Sequence, residues 1–309
     1  MQLSVVVPTL DGREQLARTL DALTERAPDA EVVVVNGPST DGTTGMVRDR
    51  PDVDVLVEVA DRTVAAARNA GIDHASGDAV ALVDQGLTVT DTWLDAVRSG
   101  LDRFSAVTGP VHERLRGGLG TDASESDTVA GRDVTFFNGG NVAFRREALD
   151  TVDGFDEYLA IGSARDCAHR LAAVDATVAW DGAMGVAREV GTDGGVELVG
   201  ADAGTRTDGR GWKYRSLAYR LVKNYGPRPA VARRLFGLAG RDALGAFRDV
   251  ASGDWTPSDW LATGRDVCAG ITRGIADGIW ARGLDRTPRR NPNGRSTRSD
   301  RAVTVYDRR

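Results

Sequence analysis

Three short loops, each following an apolar run, gather the polar side chains that could do chemistry. Pro8-Thr9-Leu10-Asp11 closes the first run, Asn36-Gly37-Pro38-Ser39-Thr40-Asp41 the second, and Asp84-Gln85-Gly86 a later one. Asn36 presents a carbonyl acceptor and an amide donor, groups that suit the edge of a nucleobase. Ser39 and Asp41 can order their loop and cap the helix after it. Arg68, within Ala67-Arg68-Asn69-Ala70-Gly71, carries a planar, permanently charged fork suited to phosphate. These residue types describe a polar site at the ends of the apolar runs.

The elements that must position these loops are legible as periodicities. Leu3 to Val7 is a strand ending at Pro8, and residues 13–26 set Leu16, Leu20 and Leu23 at helical spacing. Glu31 to Val35 holds four valines in a row, a strand buried on both faces. The pattern predicts a helix over 40–49 opened by Thr40 or Asp41, and a strand from Val53 to Val57. A helix over 62–75 and a strand from Ala79 to Val83 follow. Such alternation with apolar strands means a parallel sheet covered by helices, where ligands bind beyond the carboxyl ends of the strands. Residues 112–133, rich in Gly, Asp, Ser and Arg, read as a mobile loop, and 190–211 read the same way. From Trp212 the pattern turns helical and basic, with Trp212, Leu217, Leu221 and Val222 among Lys213, Arg215, Arg220 and Lys223. A later stripe runs through Trp260, Val267, Cys268, Ile271, Ile275 and Ile279. From Asp285 no apolar period remains, which predicts a disordered tail over 285–309.

Taken in order, these segments resemble the family 2 glycosyltransferases, which share the GT-A fold. The chain reads VVVPTLD, VVVVNGPSTDGT, AAARNAGIDHASGDAV and ALVDQG where the family has P-T-Y-N, V-D-x-G-S-T-D-G-T, A-R-N-x-G with G-D, and D-x-D. FFNGGNVAFRREALDTVDGFDEYL and ARDCAHRL resemble the family's acceptor-side segment and its E-D-x-D-L-x-x-R. The resemblance implies an α/β fold of GT-A type, a mostly parallel sheet flanked by helices, over 1–190. A donor half of 1–110 and an acceptor half of 111–190 would precede a 191–211 linker and a basic amphipathic appendage over 212–284. It implies donor-binding roles for Pro8, Thr9, Asn36, Ser39, Asp41, Arg68, Asn69 and Asp84, and acceptor-side roles for Asn141, Asp156, Glu157 and Arg170. Asp166 aligns with the base that takes the acceptor's proton, with His169 a rival base or a surface helix histidine. Mg²⁺ or Mn²⁺ is implied at Asp84, but Gly86 stands where the second carboxylate would ligate it. Arg165 replaces the Glu before the base, and a guanidinium there would lower the pKa of Asp166.

Composition sets the surroundings. With 309 residues, 41% of them hydrophobic, the chain can bury one large domain and an appendage. Cys167 and Cys268 lack metal-site spacing, exclude a disulfide framework and read as buried thiols. Lys213 and Lys223 are the only lysines and Asp far outnumbers Glu, the signature of a high-GC, salt-adapted source. Residues 1–200 hold 34 acidic and 17 basic side chains, net −17, whereas 201–309 hold 11 and 22, net +11. The basic half is expected to meet an anionic partner, the inner leaflet of a membrane. No signal peptide or membrane span is expected, which suits a peripheral protein on the cytoplasmic face of the membrane. The aromatics follow a helical stripe, unlike a base-stacking platform, so nucleic acid is not an expected partner. No lysine precedes position 213, against nucleotidyl transfer from a triphosphate.

With this lysine-poor composition, the resemblance extends to haloarchaeal enzymes of dolichyl-phosphate-linked S-layer N-glycan assembly. It implies an inverting transferase with a nucleotide-sugar donor, UDP-glucuronate foremost, and a dolichyl- or polyprenyl-phosphate-linked saccharide as acceptor. The alternative is a non-catalytic GT-A-fold binding or scaffold subunit of the same pathway, which the departures at Asn36, Gly86 and Arg165 would suit.

Overall fold

The computed structural model describes residues 1–115, 118–121, 123–189, 210–252 and 256–309. The first strands and helices are β1 (Leu3–Thr9), α1 (Arg13–Arg26), β2 (Glu31–Asn36), α2 (Thr43–Arg48), β3 (Val55–Val59), α3 (Val64–His74), β4 (Ala79–Val83), β5 (Leu87–Val89) and α4 (Trp93–Leu101). Then come β6 (Ala106–Thr108), β7 (Val111–Leu115), β8 (Gly118–Thr121), β9 (Glu125–Val129), β10 (Arg132–Phe136), β11 (Asn141–Arg145), α5 (Arg146–Val152), α6 (Ser163–Ala173), β12 (Val178–Trp180) and β13 (Val186–Glu189). The last are α7 (Arg210–Tyr225), α8 (Pro229–Ser252), α9 (Pro257–Leu284) and β14 (Ala302–Asp307).

Eight strands form the central sheet in the order β12-β6-β11-β4-β1-β2-β3-β14. β4, β1, β2 and β3 run parallel, while β11 and β14 run antiparallel to their neighbours. In β2, Val32 and Val34 pack into the layer of α1 and α4, and Val33 and Val35 into that of α3, α5 and α6. Both faces are covered, the condition under which a parallel strand is apolar throughout. Gly71 lets α3 lie close on the sheet, because a Cβ there would overlap the side chains of Val6 and Val35. A smaller sheet, β5-β13-β7-β8, and the β9–β10 hairpin complete the strands.

Several expectations are corrected. The loop expected over 112–133 consists of strands β7 to β10 over its described part. The β9–β10 ribbon buries Val129, Val134 and Phe136 on one face, too few apolar positions to leave a period. The 285–309 tail is ordered by charge and backbone pairing, which an apolar criterion does not register. Arg295 bridges Asp73 and Asp150, Arg301 reaches Glu157 and Asp73, and β14 extends the sheet along β3. Gly42, not Thr40 or Asp41, is the N-cap of α2. Cys167 is buried as expected, but Cys268 is exposed. Of the expected 190–211 loop, residues 190–209 lie outside the described residues, and Arg210 opens α7.

α7 and α9 pack in parallel at backbone contact. A Cβ on Gly270, Gly274 or Gly278 would strike the carbonyl oxygen of Gly211, Arg215 or Tyr219 respectively. α7 is core: Tyr214, Tyr219, Leu221, Val222 and Lys223 are all buried. It is therefore not the free surface helix its basic pattern predicts, and exposed apolar side chains fall mainly on α8 and α9. No described helix is long and apolar enough to cross a membrane.

Candidate functional site

β1, β2 and β4 end along one edge, with Thr9 paired to Asn36 and β4 running straight into Asp84. Their loops interlock. Asp11, at φ 45°, accepts the Thr40 N–H at 2.6 Å, while its own N–H donates to Ser39 Oγ at 2.8 Å. Ser39 Oγ donates to Asn36 Oδ1 at 2.7 Å, and Asn36 Nδ2 donates to Thr44 Oγ1 at 2.8 Å. Asp41 accepts the N–H groups of Arg13 and Thr43 at 2.9 and 3.0 Å, joining the first two loops. Gln85 joins the third: its Oε1 accepts from Thr9 Oγ1 at 2.5 Å and from the Leu10 N–H at 3.0 Å. Pro8, Thr9 and Asn36 make a buried floor, with Ser39, Asp84, Gln85 and Gly86 half-buried above it and Asp41 exposed.

Neighbouring residues on α3 serve different loops. Arg68 Nη2 donates to Asp84 Oδ1 and Oδ2 at 3.1 and 3.3 Å, and its guanidinium lies 5.5 Å from the Phe155 ring centroid. Asn69 donates to the Phe155 carbonyl at 2.9 Å and to Glu157 Oε1 at 2.7 Å, and accepts the Phe155 N–H at 2.8 Å. Asn69, expected on the donor side, is a buried clamp on the Gly154–Glu157 turn, with both ends of its amide engaged.

The acceptor-side residues converge on a second, closed cluster. Lys223 Nζ lies 2.5 Å from Asp156 Oδ2 and 2.8 Å from Asp166 Oδ2, with all three side chains fully buried. Arg170 Nε donates to Asp166 Oδ2 at 2.8 Å and Asn224 Nδ2 to Asp166 Oδ1 at 2.9 Å. Tyr219 donates its hydroxyl to Asp156 Oδ2 at 2.9 Å. Burial raises the pKa of Asp166, but Lys223 and Arg170 outweigh it and hold the carboxyl well below its usual range. Asp166 is ionised with both oxygens occupied, so in this arrangement it does not reach a substrate hydroxyl.

Arg165 is not the cause of that lowering. Its guanidinium turns to Glu125, at 2.8 and 2.6 Å, and lies over the Phe136 ring. His169 is neither a surface histidine nor placed to act as a base. It is buried between Phe136 and Tyr225, with Nδ1 2.8 Å from the Tyr225 hydroxyl. Burial, aided by Arg220, pushes its pKa down to about 3. Asn141 is also internal, accepting from Trp93 Nε1 at 3.0 Å and donating to the Met184 carbonyl at 2.8 Å.

Gln85, Tyr219, Lys223 and Asn224 were not among the residues expected to build the site. One signal pointed to Lys223: it is one of two lysines among 39 basic residues. The implied divalent ion does not find its ligands here. Gly86 contributes no side chain, Asp84 is engaged by Arg68, and no group of three His, Cys, Asp or Glu among the described residues could hold a metal.

The mostly parallel, helix-covered sheet with its open polar edge is of GT-A glycosyltransferase type, as its likeness to solved structures shows. Residues 4–153 match the family model described as glycosyl transferase family 2, and this segment is a family 2 domain. Among curated relatives, glycosyltransferase AglE of Haloferax volcanii is 31% identical over 100 residues, covering 30% of this chain and 33% of that protein. Glycosyltransferase GlyA of Streptococcus pneumoniae is 30% identical over 98 residues, covering 30% of this chain and 13% of that protein. The chain thus matches a third or less of the length of either relative. Among solved structures, S. aureus TarS 1-349 in complex with UDP-GlcNAc aligns with a TM-score of 0.63 at 15% identity, covering 96% of this chain and 90% of that one. The mannosyltransferase PcManGT of Pyrobaculum calidifontis, in complex with GDP-Man and Mn²⁺, aligns at 0.50 and 21%, covering 90% and 87%.

Proposed function

We propose that the chain is an inverting glycosyltransferase that moves a sugar from a nucleotide donor to a lipid-linked saccharide at the inner membrane face. The observation that carries this reading is the single edge, inside a family 2 domain, where Thr9, Asn36, Arg68 and Asp84 converge. The acceptor oxygen attacks the anomeric carbon opposite the leaving nucleoside diphosphate. A new carbon–oxygen bond forms, the bond to phosphate oxygen breaks, and the configuration inverts. Asp166 takes the hydroxyl proton once Lys223 and Asn224 of α7 withdraw from it. UDP-glucuronate is the first donor to test, with a dolichyl- or polyprenyl-phosphate-linked acceptor. The lysine-poor, Asp-rich composition and the relative from Haloferax volcanii suit a salt-adapted source for that pair.

Membrane association rests on α8 and α9. Phe236, Leu244 and Phe247 form an exposed stripe on α8 among exposed Arg233, Arg241 and Arg248. On α9, Leu261 and Trp280, the latter 71% exposed, are further exposed apolar side chains, and Arg265 and Arg273 are exposed on the same helix. An apolar stripe set among arginines suits an anionic interface. The full chain should float with anionic vesicles and its F236S/L244S/F247S variant should not; equal partitioning contradicts this placement.

The sealed Asp166 and the glycine at position 86 favour a second reading, a GT-A-fold subunit that binds a donor without turning it over. A donor screen separates the two. The transferase reading expects turnover of at least one nucleotide sugar by the wild type, lost in Asp166→Asn. Wild type and variant equally inert with every donor would leave the binding-subunit reading.

A further inference from the structure

We infer that the donor is held without a divalent cation, because Arg68 occupies the place of the metal on Asp84. The inference rests on the reading that this edge binds a nucleotide. Both carboxylate oxygens of Asp84 lie within hydrogen-bond range of one guanidinium nitrogen, at 3.1 and 3.3 Å. Asp84 is 18% exposed, whereas Arg68 is fully buried. The pair therefore offers the phosphates a neutralised carboxylate backed by an internal cation. A metal ion taking Asp84 for itself would strand that guanidinium in the interior, an arrangement proteins tolerate poorly.

The surrounding backbone is shaped to this pair. Gly139 and Gly140, just before β11, leave the room it fills. A Cβ on Gly139 would lie 2.5 Å from Arg68 Nη1, and one on Gly140 would overlap the Asp84 carboxylate. The Asp84 N–H donates to the Gly140 carbonyl at 3.1 Å, so the ends of β4 and β11 fix the cradle together. Gly86 has a separate cause. Its φ of 80° lies in the left-handed region, which favours glycine, and a Cβ there would face Gln15 on α1, with no atom of Asp84 within 4 Å. The loop therefore neither supplies nor aims a second carboxylate oxygen at an ion on Asp84.

Calorimetric titration of the full chain with UDP, in EDTA and in excess Mn²⁺, tests the assignment, with GDP as a second probe. The expected dissociation constants agree within about twofold between the two buffers. A tightening of about tenfold or more with Mn²⁺ would overturn the inference while leaving the donor site in place. In Arg68→Gln the carboxylate is released, and UDP binding should become Mn²⁺-responsive by about fivefold or more. Gly139→Ala keeps the charge but unseats the guanidinium, and should shift the response the same way should Arg68→Gln fail to fold. Folded variants as indifferent to Mn²⁺ as the wild type would show that Arg68 does not stand in for the metal. Binding of neither nucleotide in either buffer would remove the donor reading, and the inference with it.

Discussion

The edge proposed to take the donor and the cluster proposed for the acceptor side are both built from charged and amide side chains, yet they are built in opposite ways. At the donor edge the polar groups lie on loops at strand ends, a buried floor beneath a half-buried rim, and Asp84 keeps part of its surface. In the acceptor-side cluster Asp156, Asp166, Arg170 and Lys223 have no exposed surface, and α7 supplies the cation that closes it. The difference teaches that the strand-end loops can stay open to a ligand while the cluster around Asp166, whose members all lie beyond the family 2 segment, is shut by a separate helix. Any proton transfer to Asp166 then depends on α7 as much as on the motif that contains the aspartate.

The comparison breaks most readily at Lys223. Lys223→Met leaves two buried carboxylates with less charge compensation and should destabilise the fold by about 3–5 kcal/mol, read from urea unfolding. The triple variant with Asp156→Asn and Asp166→Asn should recover much of that loss. A Lys223→Met chain within about 1 kcal/mol of wild type would mean the cluster is not closed as described. Next in size is Arg301, which donates to Glu157 and to the carbonyls of Gly294 and Arg295. Arg301→Ala should cost about 2–3 kcal/mol in the same assay.

A pH series sharpens the contrast further. His169 is buried neutral, and its folded pKa of about 3 lies below its unfolded value. The unfolded chain therefore binds the proton first, and stability falls as pH drops from about 6.5 toward 3. Between pH 7 and 4 the loss should reach roughly 1–3 kcal/mol, and His169→Gln should flatten that part of the curve. The smallest effect is expected at Arg165, whose partner Glu125 is exposed. Arg165→Gln should change stability by less than about 1 kcal/mol and leave the ionisation of Asp166 where it was.

The donor edge was legible because its information is local. The valines of β2, the leucines of α1 and the loop residues after each strand stand within a few positions of the elements they serve. The acceptor-side cluster was legible by half. Asp166 and Arg170 are four residues apart on α6, but Lys223 arrives from 57 residues away and no motif joins them. The tail escaped for another reason. In β14, Val303 and Val305 face outward at the sheet edge, so the strand buries no apolar stripe, and arginine pairs hold the segment instead. What a resemblance does not register is a side chain engaged internally, as Asn69 is on Phe155 and Asn141 on Trp93.

Amide hydrogen exchange on the full chain, with and without saturating UDP, tests the contrast between an open donor edge and a closed acceptor side most directly. The expected result is slow exchange over residues 216–225 of α7 in both states, with new protection confined to the loops around 9–12, 36–44 and 84–86. Rapid exchange in α7 without ligand, or UDP protection that appears on α7 and α8 while the three loops stay unchanged, would contradict it.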